Sequence, residues 1–126
     1  MKKIVTDDSV SCGQWVCERT GGHFDPVDAV AIGLKENGEW VAGVIYDHYN
    51  TVSVAMHVRG NGKQWLNREF LRICFDYPFN QLKVKKIIGL VDESNHQARK
   101  FDEHLGFRLE AVIEDACKGG QLLIYT

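Results

Sequence analysis

The sequence predicts an α/β domain: a mixed, mostly antiparallel six- to seven-stranded sheet with helices on both faces. Three observations predict it. From Val27 to Val58 apolar residues recur with a period of two, interrupted by Asn37-Gly38. Two segments of helical spacing, about Gln64–Asp76 and Asn95–Leu105, alternate with a β-branched run from Val84 to Val91. Near the C-terminus, Gly119-Gly120 separates two further alternating stretches. Strands interleaved with helices, after a run of adjacent strands, require a sheet that pairs both ways.

In chain order, Ile4-Val5 reads as a short first strand. A helix is expected from about Asp8 to Thr20, ended by Gly21-Gly22. Val30, Ile32 and Leu34 share one face of the next strand. Asn37-Gly38 then turns the chain, because both positions of a tight hairpin need positive φ. Trp40, Ala42, Val44 and Tyr46 alternate with Val41, Gly43 and Ile45 on the return strand. Val52, Val54, Met56 and Val58 oppose Thr51, Ser53, Ala55 and His57 on the third member of the meander. A helix carrying Leu66, Phe70, Ile73 and Cys74 follows, and Pro78 is expected to stop it. Val84–Val91 reads as a strand buried on both faces. Ser94 or Asn95 can cap a helix in which Ala98, Phe101 and Leu105 lie together, with Gly106 at its left-handed end. Phe107–Glu114 and Gln121–Thr126 complete the order β-α-βββ-α-β-α-ββ.

The 126 residues are 44% hydrophobic, with no repeat or linker, so residues 1–126 read as a single domain. A chain of this mass removes roughly 14,000 Å² from water on folding, enough for one core. A formal charge of −2 gives no global attraction to nucleic acid or anionic membrane. A stripe of Arg59, Lys63, Arg68 and Arg72 is read as a solvated helix face rather than a nucleic-acid site. No apolar stretch reaches the ~20 residues of a membrane span. Met1-Lys2-Lys3 leads into no signal-peptide core, so a cytoplasmic protein is expected. The cysteines Cys12, Cys17, Cys74 and Cys117 show no CxxC spacing, and the histidines no HExxH, so no metal site is expected.

Two units carry possible chemistry. The fourth strand ends in Arg59-Gly60-Asn61-Gly62-Lys63 and opens a helix. Glycines allow close backbone approach, and a helix N-terminus adds a positive dipole end, so the unit suits an anion. It reads equally as an ordinary glycine-rich turn. A Walker A loop is excluded, because Gln64 stands where Ser or Thr is needed. The second unit is Asn95-His96-Gln97-Ala98, seven residues, then Gly106-Phe107.

This NxxA…GF pattern resembles motif B of the Gcn5-related N-acetyltransferase (GNAT) superfamily, and the element order resembles that family across nearly the whole chain. Compact phage and prophage GNAT-like proteins are the nearest in character. The resemblance implies the acyl-CoA N-acyltransferase (GNAT) fold, acetyl-CoA as co-substrate and a primary amine as acceptor. The family's pyrophosphate loop, [Q/R]xxGx[G/A], falls on Arg59, Gly62 and Gln64; the first two match and Gln64 does not. The implied cofactor-binding set is the backbone of His57 and Val58, then Arg59, Gly60, Asn61, Gly62, Lys63 and Gln64, with Asn95 at the strand-helix junction and Arg99, and more remotely Lys100, near the adenosine phosphate. A backbone N–H near Val58 is the implied oxyanion donor.

Many family members place a proton-donating tyrosine seven residues after the motif-B asparagine. Asp102 stands there, and an aspartate near pKa 4 has no proton to give at neutral pH unless burial raises it. His57 is the candidate catalytic base, with Asp47 and His48 as runners-up; each also reads as an ordinary polar strand end. The expected function is transfer of an acetyl group to a protein lysine, an N-terminus or a small amine by direct attack. The competing expectation is a GNAT-shaped binding protein, such as a phage host-interaction factor, that has lost the chemistry. A homodimer fits either.

Overall fold

The computed structural model describes residues 2–18, 23–60 and 68–126. Seven strands form one sheet in the order β1-β2-β3-β4-β5-β7-β6. They are β1 (Lys2–Val5), β2 (Val30–Glu36), β3 (Glu39–Asp47), β4 (Ser53–Gly60), β5 (Lys86–Asp92), β6 (Leu109–Cys117) and β7 (Gly120–Tyr125). The helices are α1 (Ser9–Glu18), α2 (Arg68–Asp76) and α3 (His96–His104). The expected order and mixed pairing are both found. Among the described residues no helix is long and apolar enough to cross a membrane.

The meander β2-β3-β4 is antiparallel and turns at Asn37 and Gly38, whose φ values are 54° and 83°. One face carries Ile32, Leu34, Val44, Tyr46, Val54 and Met56 under α2. The opposite face carries Ala31 and Ile45 under α1. Gly33 and Gly43 pair directly, and Cys12 and Val16 of α1 press onto them. A Cβ at Gly43 would come within 2.6 Å of a Val16 methyl, so glycine sets how closely α1 approaches. Burial pushes the Cys12 and Cys74 thiols up to about 12, and both act as small hydrophobes.

The structure corrects three expectations. The register shifts at Leu34/Lys35, opposite Trp40–Ala42, so Trp40 leaves the Val44 face and packs with the α1 cluster while Val41 joins the α2 side. A single inserted residue inverts a period of two. α2 ends at Asp76, as expected from Pro78, and the chain then runs on as a π-helical turn, Tyr77–Gln81, in which the Leu82 N–H donates to the Tyr77 carbonyl at 3.0 Å. Proline withholds the N–H due to the Cys74 carbonyl, which instead accepts the buried Tyr46 hydroxyl at 2.5 Å. β5 is buried on one face only. Ile87, Gly89 and Val91 point inward while Leu90 is 42% exposed, because α1 covers β2 to β4 and stops short of β5. β6 begins later than expected, as Phe107 packs into the core beside Phe75, and runs on to Cys117.

Candidate active site

β4 and β5 are the parallel pair, and their pairing runs from Ser53↔Lys86 to Met56↔Gly89. Beyond that point β4 stays with β3 through Gly60↔Ala42, while β5 stays with β7 through Asp92↔Leu122. The two strands therefore part. A cleft of about 1110 Å³ opens between them, lined by Met56 to Gly60 on one wall and Gly89 to Asp92 on the other. Alternate residues of a strand that has lost its neighbour turn unpaired N–H and C=O groups into the gap. Such an edge can hydrogen-bond an extended ligand with amide groups.

One end of the cleft is polar. His57 and Asp47 lie on the same face of β4 and β3, because Asp47 pairs with Ala55 and His57 follows two residues later. His57 Nε2 lies 2.9 Å from Asp47 Oδ1. His48 Nδ1 lies 2.9 Å from the same oxygen, and φ of 53° at His48 turns its ring back. The hydrogen bond to Asp47 holds the His48 imidazolium and raises its pKa. Asp28, near His48, and Cys17, near Asp47, lie at this end, and His23 and Asp25 also line the cleft.

The inner end holds Asp102, the one buried charged side chain among the described residues. A Cβ built on Gly89 would meet its Oδ2 at 3.2 Å, which puts the carboxylate at the point where the strands part. Burial, then the neighbouring Glu103 charge, raise its pKa from 3.8 to about 6. The sequence held the signal: Ala98, Phe101, Asp102 and Leu105 stand at i, i+3, i+4 and i+7, so Asp102 belongs to the apolar stripe of α3.

Of the sequence-predicted residues, His57, Val58, Arg59, Gly60 and Asn95 all line the cleft. Asn95 caps α3, its Oδ1 accepting the Ala98 N–H at 3.1 Å. The turn before it is tied down by Asp92, which accepts from Ser94 and from the Gly119 N–H and is held below the usual carboxylate range chiefly by Ser94. The Arg59 guanidinium turns to α1: it donates to the Trp15 carbonyl at 2.5 Å and stacks 4.0 Å from the Trp15 ring. Its Nε is buried without a partner. Arg99 donates to the Glu93 carbonyl at 3.2 Å, outside the cleft lining. Lys100, Arg68 and Arg72 are exposed. Asn61, Gly62, Lys63 and Gln64, together with Gly21-Gly22, lie outside the described residues.

No protein-family model and no curated protein matches the chain. Solved structures do. The ribosomal-protein-S5-alanine acetyltransferase of Vibrio fischeri superposes with a TM-score of 0.71 at 10% identity, over 98% of this chain and 90% of that one. The Campylobacter jejuni N-acetyltransferase PseH, in complex with acetyl coenzyme A, gives 0.63 at 13% identity, over 98% and 97%. A GNAT-family acetyltransferase of Bacillus anthracis gives 0.60 at 15% identity, over 75% of this chain. The fold is that of the GNAT acetyltransferases. The chain spans 63% of the Bacillus protein and 66% of another matched acetyltransferase. In this GNAT fold the parted β4 and β5 strands, the α3 cap and the two polar ends of the cleft are the features that bear on chemistry.

Proposed function

We propose that the chain is an acetyl-CoA-dependent N-acetyltransferase acting on a primary amine. The observation that carries this reading is the Asp47–His57 pair at the open end of the gap between β4 and β5. The gap suits the co-substrate, since a peptide-like pantetheine arm can pair with strand-edge amides. Acetyl-CoA supplies the activated acyl group, and the chain's own residues handle protons and position.

Asp47 Oδ1 accepts from His57 Nε2–H, which fixes the neutral tautomer and leaves Nδ1 with a lone pair. His57 Nδ1 takes the proton from the acceptor ammonium or amine. The nitrogen forms a bond to the acyl carbon, the carbon–sulfur bond breaks, and the thiolate takes a proton. Asp102, buried at the inner end with a pKa near 6, is the proposed donor. Asp25, Asp28 and Asp47 favour a cationic amine at the mouth. Steady-state transfer with His57→Gln tests the base. The expected result is a loss of about 10²–10⁴-fold in kcat/KM, carried by kcat.

One observation favours the second reading, a GNAT-shaped binding protein without turnover. The Arg59 guanidinium is occupied on α1 at Trp15, so the cleft is deprived of a cation that the resemblance assigns to phosphate. Absence of transfer with intact acetyl-CoA binding selects that reading.

A further inference from the structure

We propose that Asp47, His48 and His57 form a binding site for a divalent transition-metal ion of the zinc type at the mouth of the cleft. Spacing in the sequence hides it, because the ligands come from the end of β3, the residue after it, and a position ten residues on across the β3–β4 pair. The three ligand atoms lie within 4.8 Å of one another. Both imidazole nitrogens are 2.9 Å from the same Asp47 oxygen. Ligand atoms around a tetrahedral ion with bonds of roughly 2.0–2.1 Å stand about 3.3 Å apart. The two oxygen–nitrogen separations fall just short of that value and the two nitrogens lie within 4.8 Å of each other, so closure around an ion needs side-chain shifts of about an ångström. His48, with 80% of its side chain exposed, has room to make them.

The donor set selects the ion. Two imidazoles and one carboxylate suit zinc, cobalt, nickel or copper, whereas magnesium and calcium require mostly oxygen ligands. Three protein ligands leave a fourth position facing the cleft, the open arrangement. Cys17 and Asp28 line the cleft but stand outside this group of three, so the fourth position is left to solvent or a small ligand.

Occupancy has a consequence that rests on the acyl-transfer reading. With Nε2 on the ion, the neutral His57 ring carries its proton at Nδ1 and cannot accept one from an amine. An ion bound there therefore inhibits transfer.

Cobalt(II) titration followed by visible d–d absorption, paired with zinc calorimetry, tests the site in the absence of acetyl-CoA. One equivalent is expected to bind with tetrahedral or five-coordinate bands. His48→Ala and Asp47→Asn, each checked for native circular dichroism, are expected to weaken binding at least about tenfold. Cys117→Ser, outside the cluster, is expected to bind as the parent does. No binding, or binding lost in Cys117→Ser and unchanged in the other two, overturns the proposal. Because absorption and heat are read without turnover, a chain that binds cobalt but transfers no acetyl group sustains the metal site and overturns only the reading of the base.

Discussion

The two halves of the sheet are covered differently. Strands β2 to β4 are sandwiched, with α2 on one face and α1 seated on paired glycines on the other. Strands β5 and β7 carry α3 on one face, the other leaves Leu90 42% exposed, and β6 at the edge is exposed on both faces at Val112 and Ile113. Hydrophobic packing on both sides holds the first half. In the second, a smaller apolar cluster is joined by ties from Asp92 and Glu93, which accept from the Gly119 and Gln121 N–H groups of the β6–β7 hairpin. The cleft lies at the seam, where one half ends its hydrogen-bonded pairing with the other.

Truncations separate the halves most sharply. Phe70→Ala, at a fully buried position under the meander, is expected to cost about 3–5 kcal/mol in urea unfolding. Ile113→Ala on β6 is expected to stay within about 0.5–1 kcal/mol. Equal losses at the two sites would remove the distinction.

Asp102 sharpens the comparison from the seam itself. Burial raises its folded pKa to about 6 from 3.8, so the folded chain binds the proton more tightly than the unfolded chain does. The stability this provides is present below about pH 4 and is lost as pH rises through about 6. Asp102→Asn is therefore expected to stabilise the protein by about 1–3 kcal/mol at pH 8, with the gain shrinking as pH falls through the 6-to-4 window. The same variant should slow transfer, since a proton donor is lost where strain is relieved. Unfolding midpoints across pH, compared with transfer rates, read both effects.

The smallest effect belongs to the cap. Asn95→Ala removes the acceptor for the Ala98 N–H and is expected to cost about 1 kcal/mol. A loss confined to amide-exchange protection in α3 would show that this helix is fastened separately from the meander.

Local chemistry made much of this legible in the sequence. Asn37-Gly38, Asn95 and Gly106 mark real boundaries because positive φ and capping are properties of single residues. The two faces of β4 follow from strict alternation, and His57 was found on them. The side of Trp40 was not, because a bulge has no fixed sequence mark. One-sided burial of β5 depends on how far α1 reaches, which no local pattern encodes. The convergence of Asp47, His48 and His57 depends on hairpin register across a five-residue connection, where Asn50 organises the turn by accepting from Val52 and Ser53. That register is a tertiary fact.

Acetyl-CoA titration into the chain reads whether the gap between β4 and β5 holds the co-substrate. Gly60→Glu places an anion in the cleft wall, and Ile113→Glu places the same charge on the far edge. Micromolar binding is expected in the parent chain and in Ile113→Glu, weakened at least about tenfold in Gly60→Glu. No heat at millimolar acetyl-CoA, or equal affinity in all three proteins, would contradict that expectation.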